Sequence, residues 1–354
     1  MAYIPKPITR KYLFFISQDY SFPVLRPLQD EILKRGDDVQ WFMYGDEIHK
    51  EYILPEEKVL QNIEEVLNYH PDAVFVPGNV VPSFIPGLKV QVFHGLPGEK
   101  RTKKGQIYHY IIRGMFDLYC TQGNSSTSIF NALSKKHGYF HVQETGWCKL
   151  DPLFQKKDTH KTTQKSIFFA STFSPKYTKA ETLYPFILEM IKKYDYHWYI
   201  TLHPKMNQAI LSKYQSINSP KVTFVSSVET IEYFKKSHIM LCDISSIVFE
   251  YMTQIKPVVT FQSPQKNKAL IDTHTFEELE IKLISLLEHT PREHIEIISN
   301  EVNIYHPYQD GKSSTRVLDC VEKMLEGSFK AVKNKPLNFF RNYKLRKALN
   351  YWKF

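Results

Sequence analysis

Residues 12–44 read YLFFISQDYSFPVLRPLQDEILKRGDDVQWFMY, and this stretch decides the fold. Tyr12–Ser17 and Val39–Tyr44 are short apolar runs rich in aromatic and β-branched residues, the composition of buried strands. Between them, Val24–Arg35 repeats apolar residues at three- and four-residue spacing, and Gly36 supplies a helix stop. The order strand, helix, strand calls for a parallel sheet with helices on its faces.

The same alternation continues outward. Ala73–Val76, Val90–Phe93 and Leu118–Thr121 read as further strands, and Lys58–Tyr69 as a helix. The pattern weakens across Thr145–Thr163, where polar and basic residues dominate and Pro152 interrupts. It then restarts, with strands expected at Ser166–Ala170, Trp198–Leu202, Val222–Val225, Ile239–Cys242 and Val258–Phe261. Helical stretches near Glu181–Lys193, Met206–Tyr214, Val228–Lys236 and Ser246–Thr253 separate them. Two doubly wound α/β domains are therefore expected, over 1–150 and 151–327, with a tail at 328–354. The length of 354 residues agrees with two domains of roughly 150. Open α/β sheets bind ligands beyond the carboxyl ends of their strands, so the site is expected in a cleft between the domains.

Composition narrows the function. Hydrophobic residues make up 42% and charged residues 23%, which excludes a disordered chain. No uninterrupted apolar run reaches the 18 or so residues of a membrane span, and the opening Met1-Ala-Tyr-Ile-Pro-Lys-Pro lacks a secretory apolar stretch. A cytoplasmic protein is expected. Cys120, Cys148, Cys242 and Cys320 form no CxxC pair, so reduced, structural thiols are expected rather than zinc or dithiol chemistry. Neither GxGxxG nor GxxxxGK[ST] is present, which removes the main support for a dinucleotide dehydrogenase or a P-loop NTPase. No HExxH or Asp-x-Asp motif occurs either, and no metal or cofactor is expected.

The formal net charge is +9, and eight of those charges fall within residues 328–354, which contain no acid. Phe339, Phe340, Tyr343, Tyr351, Trp352 and Phe354 interleave with them. Such a tail suits an anionic membrane surface. Nucleic acid is a less favoured partner, and packing back on the first domain is the structural alternative.

Four further segments could carry chemistry. His94-Gly95 sits at a strand end and is followed by Lys100 and Arg101: an imidazole to accept a proton, and cations to hold an anion. An ordinary turn with a solvated loop is the alternative. His203-Pro204 is a second strand-end histidine, suited to a phosphate leaving group or to a plain turn. At Asp243-Ile-Ser245-Ser246 a strand ends in a carboxylate and two serines open a helix, whose free N–H groups favour phosphate unless serine is only the cap. Glu250, one turn on, could reach a ribose or face solvent. In Asp310-Gly-Lys312-Ser313-Ser314-Thr-Arg316, the arginine in a first helical turn opposes the dipole, which suggests a bound anion or a salt bridge.

Together these segments resemble the bacterial CDP-glycerol glycerophosphotransferase family, the teichoic-acid-type polyol-phosphate transferases, over roughly residues 75–320. The most specific part is Asp243-Ile-Ser245-Ser246-Ile-Val-Phe249-Glu250 followed by Lys256-Pro-Val-Val259. His94-Gly95, His203-Pro204 and Asp310-Gly311-Lys312-Ser313 with Arg316 match the family's His-Gly, His-Pro and closing Asp-Gly motifs. Phe93 stands where tryptophan is usual, Leu96 where threonine is usual, and Glu250 replaces aspartate. Gly146-Trp-Cys-Lys-Leu-Asp151 keeps only the ends of the family's Gly-aromatic-Pro-Arg-Asn-Asp signature.

The resemblance implies a GT-B fold of two Rossmann-like domains, the first on the acceptor side and the second binding the CDP donor. It also implies transfer of glycerol phosphate, or another polyol phosphate, from a CDP-polyol to a hydroxyl of a glycan or lipid-linked acceptor, with release of CMP. On that reading His94 and His203 are catalytic, and Asp243, Ser245, Ser246, Glu250, Lys312, Ser313 and Arg316 form the donor site, with Glu250 or Asp243 orienting the nucleotide or its anchoring loop. Gly95, Lys100 and Arg101 face the acceptor, and the protein sits peripherally at the inner face of the bacterial plasma membrane. The closing motif is also similar to that of UDP-N-acetylglucosamine 2-epimerases, which leaves a nucleotide-sugar enzyme as an alternative. A non-catalytic protein that binds anionic surfaces is the third.

Overall fold

The computed structural model describes residues 9–96, 102, 105–155, 164–243, 245–264, 266–329 and 331–352. Its first half runs β1 (Lys11–Ile16), α1 (Ser21–Lys34), β2 (Asp38–Met43), β3 (Val59–Leu60), α2 (Ile63–Tyr69), β4 (Ala73–Val76), β5 (Leu88–Gln91), β6 (Leu118–Thr121), α3 (Asn124–His137), β7 (His141–Glu144) and α4 (Asp151–Phe154). The second half runs β8 (Ser166–Ser171), α5 (Ala180–Lys193), β9 (His197–Leu202), α6 (Gln208–Gln215), β10 (Val222–Phe224), α7 (Thr230–Lys236), β11 (Ile239–Cys242), α8 (Ile247–Met252), β12 (Val258–Phe261), β13 (Leu270–Thr273), α9 (Phe276–Glu288) and α10 (Arg292–Tyr305). Two last helices follow, α11 (Ser313–Leu325) and α12 (Phe339–Ala348).

Both sheets are wholly parallel, as the alternation predicts. The first has strand order β3-β2-β1-β4-β5-β6-β7 and the second β10-β9-β8-β11-β12-β13. In the first sheet β1 lies between β2 and β4, with Tyr12 opposite Val39 on one side and Ala73 on the other, so Tyr12–Ile16 is buried. The buried Trp41 of β2 donates its indole N–H to Gln29 Oε1 of α1 at 2.7 Å, which satisfies both polar groups and fixes the helix on the sheet. In the second sheet β8 and β11 are central, and Ile167, Phe169, Ile239 and Leu241 pack against Leu183 and Ile187 of α5 and Leu279 and Leu283 of α9.

Local chemistry explains where the elements depart from the sequence reading. The expected helix at 58–69 begins only at Ile63, because Asn62 takes an extended backbone and its side chain accepts the N–H of Glu65. Residues 59–60 pair as an edge strand instead. The strand expected at 90–93 is β5, two residues earlier, because Phe93 has φ +57 and cannot continue a ladder. Edge strands β7 and β13 were hidden by their polar residues, as in His-Val-Gln-Glu at 141–144.

The chain divides into two compact units, Met1–Asp151 with Asp310–Phe354, and Pro152–Gln309. This corrects the expected boundary at 327, since residues 310–327 belong with the first unit. There Arg35, at the end of α1, reaches Glu322 and Asp319 of α11 at 2.9 and 2.7 Å. The tail packs on the same unit. Leu345 is buried in its core, Tyr351 stacks on Phe84, and the Lys335 ammonium lies 2.7 Å from Asp117. Gly114 has φ +72, and an added Cβ would collide with Pro336 of the tail, so the close approach needs glycine there. All four cysteines are free and buried. Among the described residues no helix is long and apolar enough to cross a membrane.

Candidate functional site

In the first unit the site is built on the carboxyl ends of β4 and β5. The left-handed backbone at Phe93 is held from several sides. Its ring stacks on His109 at 4.8 Å and packs against Phe130, and its carbonyl accepts the indole N–H of Trp147 at 3.2 Å. His94 is thereby presented at the surface with its ring 4.8 Å from that of Tyr20. Its Nδ1 lies 3.1 Å from the Pro77 carbonyl oxygen, which can only accept, so Nδ1 carries the proton and Nε2 keeps its lone pair. The protein packed around the ring, together with the Arg113 charge, holds the His94 pKa below the ordinary imidazole value, against the Pro77 hydrogen bond. The group is a neutral base at pH 7.

Gly95 enters through its carbonyl, which accepts from Gln122 Nε2 at 2.9 Å. A Cβ there would meet nothing within 4 Å, so the turn's conformational demand falls on Phe93 rather than on the glycine. Lys100 and Arg101 lie outside the described residues. Tyr20, Pro77, Gln122 and Trp147 are supporting residues that the sequence reading missed. Only the extra aromatic at 147, inside a segment already noted, could have drawn attention to one of them.

The closing Asp-Gly segment belongs to this unit as well. Asp151 is buried, and its two carboxylate oxygens accept the backbone N–H groups of Ser313 and Ser314 at 2.8 and 2.7 Å. The start of α11 is therefore filled by a carboxylate of the chain itself. Of the expected donor-site residues here, Ser313 has its backbone N–H taken by Asp151. Arg316 pairs with Asp310 and reaches the Thr145 carbonyl at 3.4 Å, so a salt bridge accounts for its place in the first turn.

In the second unit His203 follows β9 and is exposed, with its ring 4.3 Å from that of Phe173. Its Nδ1 accepts the Lys205 backbone N–H at 3.0 Å, so in the neutral ring the proton sits on Nε2. Partial desolvation by the neighbouring protein, Phe173 included, and the Lys205 charge lower its pKa. Its tautomer is thus the reverse of that at His94.

Asp243, directly after β11, is 1% exposed. It bonds the Ser171 hydroxyl and accepts the N–H groups of Thr172 and Lys179, each at 3.0 Å. Its carboxylate is turned inward on these donors. It ties the ends of adjacent strands β8 and β11 together, which is the loop-anchoring role of the two expected of it. Ser246 is the exposed N-cap of α8 with no side-chain cap bond, and the partly exposed Ser245 has its hydroxyl 3.5 Å from the Ile247 N–H. Glu250 is buried rather than solvent-facing. Lys256 of the Lys-Pro segment donates to the carbonyls of Phe234, Lys235 and Ser237, closing the end of α7. Its part in the motif is structural.

No family model and no curated protein sequence matches the chain. Solved structures do. The wall teichoic acid polymerase TagF, in a crystal soaked with CDPG, superposes with a TM-score of 0.64 at 13% identity, covering 91% of this chain and 90% of that one. The S. aureus MnaA–UDP structure has a TM-score of 0.59 at 15% identity, covering 93% and 100%. A UDP-N-acetylglucosamine 2-epimerase has a TM-score of 0.57 at 17% identity, covering 93% and 99%. With its two parallel α/β sheets, the chain has the GT-B fold.

Proposed function

We propose that the protein is a transferase that moves glycerol phosphate, or a related polyol phosphate, from a CDP-polyol to a hydroxyl of a cell-surface glycan or lipid-linked acceptor. The reading is carried by His94, whose Nδ1 is engaged by the Pro77 carbonyl so that Nε2 is left as a base. His94 Nε2 takes the acceptor's hydroxyl proton as the oxygen attacks the β-phosphorus. The bond from that phosphorus to the bridging oxygen breaks, and CMP leaves with the electron pair. His203 donates its Nε2–H to the departing phosphate, and the Ser245 and Ser246 hydroxyls add donors where charge develops. Asp243 acts behind them by holding the β8 and β11 ends in place. The likeness to TagF, a teichoic acid polymerase, supports the substrate class.

A second reading, turnover of a UDP-sugar, is favoured by the equally extensive likeness to the epimerase and to the UDP-bound structure. Incubation with CDP-glycerol, CDP-ribitol and UDP-sugars, with and without a saccharide acceptor, separates the two. CMP release that rises with acceptor is expected. Release or isomerisation of a UDP-sugar alone overturns the first reading. We place the protein peripherally at the cytoplasmic face of an anionic membrane, where the basic, aromatic tail would meet such an acceptor.

A further inference from the structure

Beside α12 the first unit has an open groove of about 710 Å³, at the carboxyl end of β2 and the start of α2. One wall is apolar, from Phe42, Ile63 and Leu349, and the polar lining includes Asp46, Glu64 and Asn350. Among the described residues no lysine, arginine or histidine lines it. Two carboxylates without a cation repel a phosphate, whereas carboxylates, carboxamides and an apolar wall match the hydroxyls and C–H faces of an uncharged sugar.

The groove's far wall is Ala348–Asn350, where α12 ends, and the helix has a separate outward face. Phe340, Tyr343, Lys344 and Lys347 recur at the spacing that forms one stripe, and all four are exposed while Leu345 is buried. Phe340 is 80% and Leu337 89% exposed, and Trp352 packs its ring 5.6 Å from that of Tyr343. Aromatic rings among cations, on a segment without acids, match the interfacial layer of an anionic bilayer. The element that walls the groove is thus also the one suited to rest on lipid.

We infer that this groove binds uncharged saccharide units of a membrane-borne glycan, with the outer stripe of α12 resting on the anionic bilayer that carries it. The inference deepens the proposed function by naming the acceptor's chemistry and position, and it rests on that reading for the word acceptor alone.

The test uses the full chain. Saturation-transfer NMR with chitobiose, an uncharged disaccharide, is expected to give a signal, and glycerol 3-phosphate none. Asp46→Leu combined with Glu64→Leu should weaken chitobiose binding at least about tenfold, equivalent to 1.4 kcal/mol, and leave vesicle binding intact. Gln61 also lines the groove, and Gln61→Trp, which obstructs it without removing charge, should do the same if the double variant fails to fold. Phe340→Ser combined with Tyr343→Ser should cut sedimentation with phosphatidylglycerol–phosphatidylcholine vesicles at least about tenfold, with chitobiose binding retained. Pure phosphatidylcholine should bind weakly throughout. No transfer to chitobiose, or groove variants that bind it like the native chain, overturns the saccharide site. Vesicle binding that ignores the stripe variants overturns the placement on the bilayer. If both binding results hold while no CDP-polyol is consumed, the donor assignment falls and the groove stands.

Discussion

A neutral imidazole has one donor and one acceptor nitrogen, so whichever nitrogen the protein engages decides what the other offers. The Pro77 carbonyl fixes His94 Nδ1 as donor and leaves a base, and the Lys205 N–H fixes His203 Nδ1 as acceptor and leaves a donor. The two sites should therefore respond differently to the same replacement. His94→Ala and His94→Gln should both lower kcat about 10²- to 10⁴-fold, since a carboxamide takes up no proton. His203→Ala should cost about 10²-fold, but His203→Gln should recover most of that, because its Nε2–H can stand in for the lost donor. Equal losses in the two glutamine variants would contradict the division of roles. The His94 pKa is lowered, so protonation of Nε2 sets in only below the ordinary imidazole value of about 6.5. The acid limb of kcat/KM should accordingly lie below pH 6.5 and move up if Arg113→Met removes the charge that helps to depress it. Both histidines were legible as strand-end residues beside glycine or proline. Their tautomers were not, because Pro77 is 17 residues from His94 and only the fold brings it to 3.1 Å.

At the level of elements, Asp151 does for α11 what a local cap does for most helices, from a position far away in the chain. Lys312 precedes the helix with no side-chain cap, and two buried N–H groups point at one carboxylate. Asp151→Ala strands both donors away from water and should destabilise the protein by about 2–3 kcal/mol. Asp151→Asn keeps one acceptor and should cost about half as much, the difference appearing as two separate urea midpoints. Wild-type midpoints in both would show that the α11 start is satisfied in some other way. The sequence marked Asp151 and Asp310–Arg316 as separate motifs, and the types of residue were right for anion recognition. What it left hidden was that one motif supplies the anion for the other. Periodicity likewise revealed α1, α5 and most central strands, because buried apolar residues make their own pattern. It left the docking of α12 as an alternative only, since the stripe that docks holds one leucine and the stripe that faces out is the more hydrophobic of the two.

For the whole molecule, the discontinuous first unit makes the last 45 or so residues part of a fold begun at β1. One core cluster of the Pro152–Gln309 unit is drawn from residues between Ile167 and Leu287, all internal to it. That segment, about 160 residues with a six-stranded sheet, should unfold cooperatively by itself, as single domains of this size do. Residues 1–151 alone should not. Without 310–354 they lose Leu345 from the core and the partners of Arg35, and they leave the Asp151 carboxylate with no N–H to receive. Joining 310–354 to 151 through a short Gly/Ser linker should restore a cooperative transition, because Asp151 already touches Ser313 and little chain is needed. Urea titrations followed by tryptophan emission can compare the three, with Trp41 and Trp147 reporting the first unit and Trp198 the second, all three indoles being buried. A cooperative transition in 1–151 at the midpoint of the joined form would mean that the returning helices decorate a finished domain. A steep transition only in the joined form would mean that they complete it.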